Sequence, residues 1–350
     1  MVETVRQFAA NEIRPRARAA EEAKQPADGA IAAAHALGLI ANGLPSAFGG
    51  GGERSAVLGA LVAEELAWGD LATALAILSP ALLAFPLADH GSAAQQAAHL
   101  PRYAGGSFVP SALALLEPAF GADPFRPRTQ AKRDGAHYVL DGRKCLVPWL
   151  AGGETVLVFA DEGGEAQGFL VPRDAAGLTA TPEAYMGIQA LPTVGLTLAG
   201  VRVPAEARLG EAEGSDLAGL IARGRVALAA LGVGVARAAF EVARDYAKER
   251  EAFGTKIAQK QAIAFLLAQM AIEIDGARLL AWEAAWRLDQ GEDALREATL
   301  ALDQVRRIGL DVTDGAVQVL GGHGYIRDYL PELLLRNARG FASFEALALV

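Results

Sequence analysis

Apolar residues recur every three or four positions at both ends of this chain and every second position in its middle. Val5, Phe8 and Ile13 stripe one helix that should stop near Pro15. Leu58, Leu61, Val62 and Leu66 stripe another that runs to Trp68. Far downstream, after a break at Phe253-Gly254, Ile263, Leu266, Leu267, Met270, Ile274, Ala277, Ala281 and Ala284 mark a long helix packed in a bundle. Between these regions the period falls to two. Asp134-Gly135 and Asp141-Gly142 read as tight turns flanking a strand at 137–140, and 154–160 and 168–171 read as a pair about Gly163-Gly164. Val194, Leu196, Leu198, Val201 and Val203 alternate with small or polar residues. The pattern predicts a helical domain over 1–110, a β-domain over 111–210 and a second helical domain over 211–350. The fold class is α+β, mostly α, with a small antiparallel sandwich or barrel at its centre.

Composition narrows the function. The 350 residues suit two or three domains, and 52% apolar content supports a sizeable core, although much of it is alanine. A net charge of −9 leaves no basic face for a nucleic-acid backbone. The single cysteine, Cys145, excludes an internal disulfide, and no His/Cys cluster has metal-ligand spacing, so no metal is expected. The start of the chain is charged from Glu3, unlike a secretory signal, and the apolar run 71–87 is short and holds Ser79 and Pro80. A cytoplasmic protein without a membrane partner is the expectation. The alanine-rich stretch 227–242 permits close helix–helix approach and predicts a dimer or dimer of dimers, homo- or heteromeric.

Two motifs carry specific chemistry. Tyr246, Ala247, Arg250, Phe253 and Gly254 spell Y-A-x-x-R-x-x-F-G, with Gln261 one turn into the helix that follows. Gln318 opens Q-V-L-G-G-H-G-Y, where adjacent Gly321 and Gly322 let a backbone approach a ligand closely. Together with the stretch 91–107 and the frame Glu117-Pro118, Gly121, Asp123, Gly142, Lys144, these motifs resemble the acyl-CoA dehydrogenase family over nearly the whole chain. The resemblance implies an N-terminal helical domain, a middle antiparallel β-domain and a C-terminal helical bundle. It also implies FAD as cofactor, an acyl-CoA substrate, a role in fatty acid metabolism and an electron-transferring flavoprotein as partner. Arg250, Phe253, Gln261, Gln318, Gly321 and Gly322 would then lie against the flavin of a neighbouring subunit. Glu345 falls where many members keep the catalytic glutamate of Y-E-G-T, here followed by Ala346-Leu347. Members that place the base on an earlier helix have it where this chain has Gly224.

The same resemblance assigns Leu116, Gly121, Ala122 and Pro148 to the chain's own flavin bed. Three of these depart from the pattern: Leu116 stands for Thr, Ala122 for Ser, and Pro148 for Thr. At roughly 1 kcal/mol per lost hydrogen bond, affinity falls on the order of a hundredfold. The leading reading is an FAD-dependent acyl-CoA dehydrogenase or a subunit of one. The alternative is a non-catalytic subunit that completes a partner's flavin site; a third is a flavin-dependent oxidase or oxygenase of the same family.

Overall fold

The computed structural model describes residues 1–27, 29–341 and 344–350. Seven helices come first: α1 (Val2–Phe8), α2 (Ala17–Ala23), α3 (Ala30–Ala36), α4 (Ala56–Gly69), α5 (Leu71–Leu78), α6 (Ala81–His90) and α7 (Ala93–His99). The helical path does not stop at Pro15. It passes through a π-turn at Ala9–Ile13 and a 3-10 turn at Arg14–Arg16, whose first positions need no backbone donor. Ser55 caps α4, its hydroxyl accepting from Leu58 N–H at 3.2 Å. Asp70 ends α4 and starts α5, accepting from Thr73 N–H at 2.8 Å.

The middle region holds β1 (Ala112–Ala114), β2 (Gln130–Asp134), β3 (His137–Pro148), β4 (Thr155–Glu162), β5 (Glu165–Pro172), β6 (Leu178–Pro182) and β7 (Thr193–Pro204). The order is β1-β4-β2-β3-β7-β6, with β5 also on β4. The hairpin pairs are antiparallel, as the turn dipeptides imply, but β1 runs parallel to β4 and β2 meets β4 in parallel at Gln130↔Asp161. The sheet is therefore mixed, because β1 and β4 are joined by a long excursion through β2 and β3 rather than by a tight turn. Asp141-Gly142 is no turn either. It is a register shift inside the continuous strand β3, where a side chain at Gly142 would strike Thr129.

The C-terminal region comprises α8 (Leu217–Glu249), a short hairpin β8 (Glu251–Ala252) and β9 (Thr255–Lys256), α9 (Gln261–Asp289), α10 (Leu295–Leu320), α11 (Gly322–Tyr325) and α12 (Pro331–Phe341). It shares one apolar core with the N-terminal helices. A buried ion network ties them. Glu65 of α4 takes Arg237 of α8 at 2.6 Å, and Glu64 takes Arg278 of α9 at 3.1 Å. At the crossing an added Cβ on Gly234 would lie 2.3 Å from the Glu64 carbonyl oxygen, so only glycine admits the close approach of α8 to α4.

Contrary to the expectation from the sequence, two stretches are long and apolar enough to cross a membrane, Leu71–His90 and Leu217–Glu249. Their most apolar windows are 94% and 78% buried within the fold. The break at Ser79 and Pro80 joins two short helices instead of ending the run.

Candidate active site

Two clusters of candidate residues form, at opposite ends of α8. The first gathers where α8 ends. Arg250 caps the helix, its N–H donating to the Tyr246 carbonyl at 2.8 Å. The β8–β9 hairpin then carries Phe253 at its tip, in a left-handed conformation and 96% exposed. Gln261 begins α9 and is exposed, as is Gln318 in the last turn of α10. The end of α8 is tied to α11 by a 3.0 Å hydrogen bond between Tyr246 Oη and His323 Nδ1, inside an aromatic group completed by Tyr329. Gly321 turns out of α10 at φ 57°, and nothing lies within 4 Å of where a Cβ on Gly321 or Gly322 would sit. Backbone there is open to an incoming group. Arg250 makes no salt bridge among the described residues, so this corner offers an exposed cation, an aromatic face and unobstructed backbone.

The second cluster surrounds Glu345, which follows α12 and lies between α8 and α10. Its side chain is 10% exposed. Arg225 of α8 donates to both carboxylate oxygens, Nη2 to Oε1 at 3.1 Å and Nε to Oε2 at 3.3 Å. Arg306 of α10 donates to the Phe344 carbonyl at 3.1 Å and reaches Oε1 at 3.4 Å. Arg225 is itself fixed by Thr299 Oγ1 at 2.6 Å, and its guanidinium lies 5.7 Å from the Phe125 ring centroid. At Gly224, the other position at which a base could stand, an added Cβ would lie 3.6 Å from Ala346, Ala348 and Leu349. Position 224 therefore faces the segment that follows Glu345 rather than the carboxylate itself. Ala346 sits at φ 53°, a conformation that favours glycine.

The β-domain meets this second cluster through Phe125 against Arg225 and through Tyr185, whose ring stacks edge-on against Phe344 at 6.3 Å. Leu116 and Ala122 are half-buried, Gly121 is exposed at φ 65°, and Pro148 is buried opposite Thr193. A register shift between Lys144 and Val147 puts Leu146 at φ 58°, its N–H donating to Glu183 Oε2 at 2.9 Å. None of Leu116, Ala122 and Pro148 offers a side-chain donor, and Pro148 offers no N–H. Glu117 and Lys144 serve the fold. The Glu117 carboxylate accepts from Lys144 Nζ at 2.8 Å and from the Thr129 N–H and hydroxyl at 2.8 and 2.7 Å. Burial opposes its ionisation, yet Lys144 and these hydrogen bonds hold the carboxyl below its usual range.

About 25 residues of helix, roughly 37 Å, separate Arg225 from Arg250. The Arg250 corner and the Glu345 pocket therefore cannot serve one cofactor within a single chain. The corner suits a ligand approaching from outside, as a neighbouring subunit would present it. Sequence motifs gave no sign of Arg306. It stands beside the core residue Val305 on α10, and only the packing of α12's exit against that helix brings it to Glu345.

Comparison with known proteins gives one consistent answer. A family described as "Acyl-CoA dehydrogenase, N-terminal domain" matches residues 1–107, and "Acyl-CoA dehydrogenase, C-terminal domain" matches 216–345. A Bacillus subtilis (strain 168) protein described as "Probable acyl-CoA dehydrogenase YngJ" is 35% identical over 347 residues, covering 96% of this chain and 91% of that one. A structure titled for the electron transferring flavoprotein of Acidaminococcus fermentans superposes at a TM-score of 0.89 with 30% identity, covering 98% of this chain and 92% of the other. The Mycobacterium smegmatis glutaryl-CoA dehydrogenase in complex with FADH2 gives 0.89 at 27% identity, covering 98% and 89%.

Proposed function

This chain belongs to the acyl-CoA dehydrogenase family, and from that we propose how its own residues carry out FAD-dependent α,β-dehydrogenation of an acyl-CoA thioester. The observation that carries the reading is the buried Glu345 carboxylate, presented between α8 and α10 where the β-domain meets them. The chemistry that a bound FAD would supply is acceptance of the β-hydrogen as a hydride. Glu345 takes the α-proton. Its Oε1 already receives two guanidinium donors, whereas Oε2 receives one at 3.3 Å, so Oε2 retains the lone pair that can accept it. Arg225 and Arg306 fix the carboxylate's orientation.

Arg250, Phe253, Gln261, Gln318, Gly321 and Gly322 would hold the FAD of a neighbouring subunit, with Arg250 pairing to its diphosphate. The chain's own bed near Leu116, Gly121, Ala122 and Pro148 would bind through backbone and apolar contact. This arrangement needs an oligomer. Support comes from α9, whose outer face exposes Phe265, Ile272, Leu279 and Trp286 at 65%, 66%, 62% and 51%. A second copy of this chain would cover that stripe, and an electron-transferring flavoprotein would reoxidise the cofactor.

The test is anaerobic reduction of the bound flavin by octanoyl-CoA. Glu345→Gln keeps size and removes the base, so reduction should slow at least about a hundredfold while ligand binding changes little. An unchanged rate would remove Glu345 from the chemistry. A stable monomer by light scattering at micromolar concentration would sink the shared-site arrangement.

A further inference from the structure

Glu345 follows α12, whereas Leu116, Gly121, Ala122 and Pro148 belong to the β-domain, so their mutual placement depends on what joins the two. Phe125 against Arg225 is one join. The loop between β6 and β7 is another, and it is anchored on both sides. Glu183 accepts the N–H of Leu146, in β3 close before Pro148, at 2.9 Å. Arg336 Nη1 of α12 donates to the Met186 carbonyl at 3.1 Å, and the Ile188 N–H donates to the buried Asn337 Oδ1 at 2.7 Å. Between these anchors the Tyr185 ring meets Phe344, the residue before Glu345, edge-on at 6.3 Å. Backbone touches backbone here, for a Cβ on Gly187 would strike the Arg336 carbonyl. Ile188 and Leu191 then enter the apolar core of the helices, apart from the β-domain's own. Leu146 and Ile188 hold φ 58° and 48°, where a β-branched residue such as isoleucine is a true outlier. Strain of this kind persists only where the surroundings fix it, and it gathers at functional sites. At Ile188 the fixing contact is Asn337.

We propose that Asn337 is a positioning residue for the dehydrogenation: it docks the 183–188 loop on α12 and so sets Glu345 against the β-domain. The path runs from Asn337 to Ile188, along the loop to Tyr185, and from that ring to Phe344 and Glu345. Without the acceptor the buried Ile188 N–H loses its partner, and the left-handed conformation loses its support. The helix α12 stays in place, because Glu332 still pairs with Arg18 of α2 and Arg336 with Glu21. The chemical step depends on close alignment of base and substrate, whereas binding is spread over the whole ligand. The loss therefore falls on rate rather than on affinity. The inference rests on the dehydrogenase reading above.

Asn337→Leu removes the acceptor at similar size, and Asn337→Asp keeps it. On the purified flavoprotein the rate of anaerobic flavin reduction is measured at saturating octanoyl-CoA, and the octanoyl-CoA dissociation constant by equilibrium dialysis. Asn337→Leu should slow reduction at least about tenfold with affinity changed by no more than about twofold, and Asn337→Asp should recover most of the rate. Tyr185→Leu leaves the Asn337 contact intact and breaks the path beyond it, so it should slow reduction to a similar extent. It also decides the matter where Asn337→Leu does not fold. The two changes together should slow reduction no further than either alone. A rate within about twofold of wild type in Asn337→Leu or in Tyr185→Leu overturns the positioning role and leaves the dehydrogenase reading standing. So does a joint loss of rate and affinity that Asn337→Asp does not recover, the mark of a merely structural contact. No flavin reduction in the wild-type protein overturns both.

Discussion

Arg225 grips both carboxylate oxygens of Glu345, at 3.1 and 3.3 Å, from 120 positions earlier in the chain. A planar guanidinium is suited to this fork, and a lysine in its place would hold one oxygen only. The pair is nearly buried, at 13% and 10% exposure, so it fixes the carboxylate's direction more than it stabilises the fold.

Replacing Arg225 by Gln should therefore leave Glu345 with the single long contact to Arg306. Reduction of the flavin by octanoyl-CoA should slow by at least about tenfold, with loss of folding stability on the order of 2 kcal/mol. Arg225→Lys should recover most of the stability and less of the rate. If Arg225→Lys and Arg225→Gln have equal rates, the fork has no role in positioning.

Arg250 and the Leu116–Ala122 bed should act on flavin retention in opposite directions. Arg250→Ala removes a charge-assisted contact and should weaken flavin binding by about 1.5–3 kcal/mol. Leu116→Thr with Ala122→Ser restores two donors and should strengthen it by about 1 kcal/mol each. Flavin dissociation constants, measured by fluorescence on dialysed protein, decide this. An Arg250→Ala protein that keeps its flavin as tightly as wild type would leave the exposed corner without a cofactor role.

Ala346 carries the backbone strain at the turn after Glu345. Ala346→Gly should relieve the left-handed conformation and raise stability by roughly 1 kcal/mol, visible as a higher urea midpoint. Ala346→Val should lower it. The reverse order would mean the segment is not held in this conformation in solution.

Acid should unfold this protein through its buried carboxylates. Burial opposes ionisation of Glu65 and Glu117, but Arg237 and Arg6 at the first and Lys144 at the second outweigh it, and both carboxyls fall below their usual range. A depressed carboxyl contributes stability that is complete above the unfolded value, near 4.3, and is lost as pH falls through the folded value. Urea unfolding between about pH 7 and pH 3 should show this loss. Glu117→Gln should be less stable at neutral pH and have a shallower acid slope. An identical slope in the variant would show that Glu117 does not contribute.

The sequence by itself determined the order of elements and the family. Helical stripes such as that of 263–284, the Asp134-Gly135 and Gly163-Gly164 turns, and the Arg250 and Gln318 motifs depend on neighbours a few residues away, so local pattern encodes them. Asp141-Gly142 looked like a further turn because Asp-Gly is a turn signal. Only the packing of Gly142 against Thr129 makes it a bulge inside β3. The site depended even more on tertiary packing. That Arg225 and Arg306 meet at Glu345, and that Arg250 lies roughly 37 Å away along α8, follow from helix directions and crossings, which no local spacing records.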